Sequence, residues 1–194
     1  FKECTYHFCW DKELLKNMFG FAGWNFIGAA SSVLRDQGGN VVINLFFGPS
    51  VNAAKGIAMQ VNSAISGFVS NFMTALNPQI TKSYASGNYD YMMTLIFQGA
   101  KFSFYMLLLL SLPVIINTHY ILGLWLKLVP EHAVLFVRLT LLLAMSESIS
   151  NPLITAMLAT GRIRNYQIMV GGLQMLNLPI SYIFLRLGCV PESV

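Results

Sequence analysis

Charge is the scarcest thing in this sequence. Only 10% of its 194 residues are Asp, Glu, Lys or Arg, where a soluble domain carries about 25%. So few charges cannot cover an aqueous globular surface, and the 55% hydrophobic content and mean hydropathy of +0.59 point the same way. Cysteine is scarce too. Cys4, Cys9 and Cys189 cannot make a disulfide framework. Cys4, His7 and Cys9 look like a fragment of a zinc site, but no second ligand pair follows at zinc spacing. They are assigned to a loop, and no metal is expected. The sequence also lacks a glycine-rich phosphate loop, a nucleophile elbow and any cluster with metal-ligand spacing. No cofactor and no enzymatic activity are therefore expected. The net charge of +4 comes without a basic patch interleaved with aromatics, which excludes nucleic acid as a partner.

What the sequence has instead is five segments of about 20 or more residues, long enough to cross a bilayer. They cover residues 19–47, 51–77, 102–120, 133–159 and 166–187, and the fold class read from them is an all-α polytopic membrane protein with five transmembrane helices. The first segment is interrupted by Arg35-Asp36-Gln37-Gly38-Gly39-Asn40 and is read as one long helix. Gly48-Pro49-Ser50 breaks the chain after it, and Pro78 is expected to close the second. Residues 82–90 form a polar loop with a Ser-Gly-Asn turn, and 91–99 lie at the interface. Residues 1–17 read as the end of a cytoplasmic linker, 18–188 as a transmembrane bundle, and 189–194 as a truncated outer loop. Beginning at Phe1, without a signal peptide, and ending soon after an apolar run, the sequence reads as part of a longer chain.

Basic residues set the orientation. With the N-terminus in the cytoplasm, Lys2, Lys12, Lys16, Lys82, Lys101, Arg162 and Arg164 fall inside or at the inner edge, against Lys127 and Arg186 outside, in accord with the positive-inside rule.

The second segment carries the main functional signal. At 100° per residue, Asn52, Lys55, Gln60, Asn62, Ser63, Ser66, Ser70, Asn71, Thr74 and Asn77 share about half the helical circumference. Ile57, Ala58, Val61, Ile65, Phe68, Val69, Phe72 and Leu76 fill the rest. Such a helix cannot show its polar half to hydrocarbon, so that half must face protein or a water-filled cavity.

Charges inside other spans extend the argument. Arg35 and Asp36 sit mid-span, with Asn25, Ser32 and Asn40 on the same face as Asp36. They read as a neutralising pair holding two helices in register or as a wall of the cavity. Glu147 lies on a stripe with Thr140, Asn151 and Thr155; as a buried carboxyl it would suit proton coupling, or it is a structural hydrogen-bond partner. Lys55 either snorkels to the interface or attracts phosphate at the cavity mouth. Arg138 is expected to pair with Glu131. The candidate cavity-lining set is Arg35, Asp36, Asn52, Lys55, Asn62, Ser66, Ser70, Glu147 and Asn151.

The stretches GNVVINLFFGPSVNAAKGIAMQVN (39–62), NFMTALNPQITKSYASG (71–87), ILGLWLKLVP (121–130), ATGRIRNYQ (159–167) and GGLQMLNLPISYIFLRLG (171–188) together resemble the polysaccharide flippases. These Wzx-type O-antigen and capsule exporters share a superfamily with the MATE multidrug exporters and the MurJ lipid flippases. The resemblance implies a two-bundle (6+6) MATE/MurJ-like exporter fold, of which this chain supplies five helices of the C-terminal half. It also implies alternating-access translocation of undecaprenyl-diphosphate-linked oligosaccharide across the bacterial inner membrane. The implied partners are that lipid-linked oligosaccharide, membrane lipids, H+ or Na+ as coupling ion, and the missing N-terminal bundle, without which the cavity lacks half its wall. The alternative is a MATE-type cation-coupled multidrug antiporter. A polytopic glycan polymerase or glycosyltransferase is more remote, because it needs a catalytic set in a long loop and the connection 120–132 holds one Glu and no Asp.

Overall fold

The computed structural model describes residues 11–188 and 190–191. The Cys4-His7-Cys9 fragment, Lys2, the first ten linker residues, Cys189 and residues 192–194 lie outside the described residues. Six helices follow one another, and among the described residues there is no strand: α1 (Lys12–Phe47), α2 (Pro49–Ala85), α3 (Tyr89–Ile116), α4 (Thr118–Trp125), α5 (Ala133–Ala159) and α6 (Arg164–Arg186). Helices α2, α3 and α5 pack on one another as a trio. Helices α1 and α6 form a separate pair joined to the trio through α1 and α2, and α4 lies against α3 and α5.

Local chemistry sets the ends. Asp11 caps α1 by accepting from the backbone N–H groups of Glu13 and Leu14 at 2.9 and 3.1 Å, satisfying donors that no helical carbonyl can reach. Gly48, with φ +79°, separates α1 from α2. Gly87, with φ +73°, turns the chain between α2 and α3, and Asn88 caps α3 through the N–H of Tyr91.

Several boundaries differ from the sequence reading. Pro78 does not end α2. The helix runs on to Ala85 because Ile80 and Ser83 beyond the proline are buried, and their packing outweighs the one backbone hydrogen bond a proline removes. The loop expected over 82–90 shrinks to the turn at 86–88, and residues 91–99 belong to α3 rather than to an interfacial stretch. Lys101 is therefore about 18 Å into its helix, not at a loop edge, with its ammonium 5.9 Å from the Tyr105 ring centroid. The connection 120–132 is not all loop, because it contains most of α4.

Five spans were expected, whereas among the described residues three helices, α3, α5 and α6, are long and apolar enough to cross a membrane by length and composition. Helices α1 and α2 are longer, at 36 and 37 residues. They miss that standard because so much of their length is polar.

Close packing relies on small residues, which let helix axes approach. Along the α1–α6 seam Gly171 faces Ser31, and a Cβ there would stand 3.2 Å from the hydroxyl. Ser32 donates to Gln174 at 2.9 Å across the same seam. In the trio, buried Gly99 of α3 touches Leu76 of α2 and Pro152 of α5. Around it Val69, Met73, Leu107 and Ala144 form one apolar cluster, and Ala54, Ala58, Leu122, Val137 and Leu141 belong to a second.

Gly99→Val would drive methyls into Leu76 and Pro152, at a cost of about 1–3 kcal/mol. Gly56→Ala has open space around it and replaces glycine inside a helix, so it is neutral or slightly stabilising. Thermal unfolding of the two purified variants, followed by tryptophan fluorescence, checks the contrast.

Candidate substrate groove

The polar half of α2 meets the polar stripe of α5 along a single seam. Residue numbers rise together along it, from Lys55 and Phe136 in one cavity to the Asn77–Thr155 hydrogen bond at the far end. The two helices thus run parallel. From Lys55 to Asn77 the seam measures about 33 Å, the thickness of a bilayer's hydrocarbon core at about 30 Å.

Two cavities lie along this seam. One, of about 430 Å³, is walled by Arg35, Asp36 and Asn40 of α1, Lys55 and Met59 of α2, Phe136 and Thr140 of α5, and Asn177 of α6. The other, of about 410 Å³, is walled by Ser66, Ser70, Asn77, Leu107, Asn151 and Thr155, among others. Asn62, Ala144 and Glu147 belong to both, so the cavities join into one groove.

The groove is electrically uneven. Its formal charges are Arg35, Asp36 and Lys55 in the first cavity and Glu147 at the junction, and the far cavity is otherwise lined by neutral amides, hydroxyls and apolar side chains. The Arg35 Nε donates to Asp36 Oδ1 at 2.9 Å. Both residues belong to α1 and stay 37% and 47% exposed. This pair cannot pin two helices in register, because it joins neighbours on one helix. It lines the groove instead. Lys55 stands close enough to feel both of its charges, and neither Lys55 nor Glu147 has a hydrogen-bond or ion-pair partner among the described residues.

Of the nine candidate positions the structure brings eight together on this groove. Asn52 lines neither cavity, because it lies at the α1–α2 turn, one helical turn beyond Lys55. Glu147 is exposed to the groove, not buried as the sequence reading had it, and no neighbouring helix holds it. Lys55 lines the first cavity rather than only reaching for the interface.

Arg138 does not pair with Glu131. Its Nε donates to the Ile115 carbonyl at 3.1 Å and reaches the Thr118 hydroxyl at 3.4 Å. The cause is the end of α3, whose last carbonyls have no helical donor. Thr118 covers those of Val114 and Ile115, and a guanidinium at a helix C-terminus adds a favourable interaction with the dipole.

Sequence reasoning missed Asn177 as a lining residue. Its signal was present: Gln174 and Asn177 are spaced i, i+3 in the otherwise apolar middle of α6, residues 168–180, and so share one face. It also missed the Asn77–Thr155 bond of 3.0 Å that ties the two groove helices together, which periodicity on separate helices cannot reveal.

A protein-family model, MatE, matches residues 36–183, which take in every groove position except Arg35. No curated protein and no solved structure matches the chain.

Two predictions follow from this geometry. In a background with all cysteines replaced, Lys55→Cys, Glu147→Cys and Asn151→Cys in membrane-embedded protein react with a charged, membrane-impermeant thiol reagent. Phe97→Cys, on the exposed apolar side of α3, reacts at least about tenfold more slowly, since the thiolate hardly forms in hydrocarbon. Separately, Arg138→Ala lowers stability by about 1–3 kcal/mol by removing a charge-assisted hydrogen bond to the α3 carbonyl. Glu131→Ala stays within about 0.5 kcal/mol, and equal losses for both in a denaturant titration would restore the ion pair.

Proposed function

Because the chain belongs to the MatE family, we propose that its groove is one wall of the pathway of an alternating-access exporter, with an anionic lipid-linked oligosaccharide as cargo. Family membership makes it a multi-pass membrane exporter of the MATE/MOP superfamily. The bacterial inner membrane, the cytoplasmic N-terminus and the cargo are our reading.

One observation carries the choice of cargo: Lys55, unpaired, at the charged end of a polar groove that runs the depth of a bilayer. An amphiphile with a diphosphate can place that group against an ammonium, with the Arg35 guanidinium beside it, while its hydrocarbon tail stays in lipid. An ammonium is a compact donor well suited to phosphate oxygens. The headgroup then slides along polar side chains, and no step requires stripping it into hydrocarbon. Exchange of inward- and outward-open states would move the opening of the groove from one side to the other.

A second reading has its own support. The unpaired Glu147 carboxylate at the junction of the cavities is where a coupling H+ or Na+ could be exchanged, or where a cationic drug could bind. It favours the cation-coupled multidrug antiporter, and the two readings differ in what they require of Lys55.

Expressing the intact protein in a bacterium deprived of its own O-antigen flippase decides between them. Restored surface glycan supports the lipid-linked cargo; cation-driven dye efflux without glycan display supports the antiporter. In the complementing strain, Arg35→Ala, Lys55→Gln and Glu147→Gln each leave membrane abundance near normal. Each lowers transport by about tenfold or more, in line with ~1.5–3 kcal/mol for a hydrogen bond to a charged group. A collapse in abundance at any position would make that residue structural.

A further inference from the structure

Three asparagines on this groove share one arrangement. Ser66, four residues after Asn62, donates its hydroxyl to the Asn62 side-chain oxygen at 2.9 Å. Ser181 does the same to Asn177 at 3.1 Å, and Thr155 does so to Asn77 across the seam at 3.0 Å. In each case the amide oxygen faces the hydroxyl, and the NH₂ group, a double donor, has no partner among the described residues. A fourth, Asn151, is exposed on the groove with no side-chain partner among the described residues.

A groove lined with NH₂ donors asks for a ligand rich in acceptors. The stations are far apart: Asn62 and Asn77 alone are about 22 Å distant along α2. A compact ligand meets one station, whereas an extended chain of linked polar units meets several. The far cavity, about 410 Å³ in volume, falls in the usual range for ligand pockets. No aromatic ring lines it, so it offers a flat cation no face to stack on.

We infer that the asparagine stations of the neutral arm form a glycan-reading track, separate from the charged arm, which binds the oxygens of successive linked sugars. This inference rests on the reading of a lipid-linked cargo and divides that cargo: anion at Lys55, sugars along Asn62, Asn77 and Asn151, with Asn177 in the charged cavity and outside the track. The amide NH₂ groups donate to hydroxyl, ring and N-acyl oxygens, and the Glu147 carboxylate accepts from a sugar hydroxyl at the junction.

The test measures the affinity of the intact purified protein for two probes: undecaprenyl diphosphate alone, and the same lipid carrying an N-acetylated trisaccharide. The readout is the ratio of the two affinities. The wild-type ratio favours the glycosylated lipid by about tenfold or more. Asn62→Leu and Asn151→Leu each lower it about three- to tenfold, the value of one or two hydrogen bonds. Lys55→Gln weakens both probes together and leaves the ratio near wild type. Unchanged unfolding temperatures establish that the leucine variants are folded. A wild-type ratio near one, or leucine variants with an undiminished ratio, overturns the track while leaving the lipid-diphosphate cargo standing. Failure of the wild type to bind either probe overturns the cargo reading and the track together.

Discussion

A polar surface as long as the membrane is thick must not meet hydrocarbon. Everything else in the structure answers to that constraint. Half the circumference of α2 between Asn52 and Asn77 is polar, and each amide or hydroxyl left facing lipid without a partner would cost several kcal/mol. The remedy is architectural. The apolar half of α2 packs into the trio through Ala58, Val69 and Met73, and its polar half is turned along the seam with α5. Helix α5 answers with Glu147, Asn151 and Thr155, so two polar stripes share one groove.

The same constraint explains how the α1–α6 pair is attached. Arg35, Asp36 and Asn40 lie towards the later part of α1, and they line the same cavity as Lys55, which keeps the most expensive groups of the first helix among polar neighbours. The rest of that pair is held by close contacts, Gly171 on Ser31 and Ser32 on Gln174. Contacts of this kind need no hydrophobic drive, which lipid cannot supply between apolar helices. Where a helix must stop, as at Ile116, the orphaned carbonyls are covered by Thr118 and Arg138.

The fold was readable wherever periodicity and breakers agree. The α5 segment and the break at Gly48 were legible from residues alone, because apolar length and a glycine–proline pair leave few alternatives. Pro78 misled because a proline's local cost is visible in sequence, whereas the burial of Ile80 and Ser83 that outweighs it is not. Eight of the nine nominated residues share the groove because a stripe on one helix predicts a partner stripe on another. The partners themselves were not legible. Arg138 was assigned to Glu131 on helical spacing, whereas the deciding group is a backbone carbonyl of another helix, and backbone carbonyls leave no mark in a sequence.

The parallel course of α2 and α5 has a consequence for biogenesis. The stripe that shelters the polar half of α2 emerges from the ribosome about eighty residues later, after α3 and α4. At elongation rates of about 5–20 residues per second, α2 waits several seconds for its counterpart. During that interval neither α1 nor α3 supplies the Thr155 partner of Asn77. A groove built from two stripes so far apart in sequence therefore makes its own walls late clients of the insertion machinery, which must hold α2 until the downstream helix is made.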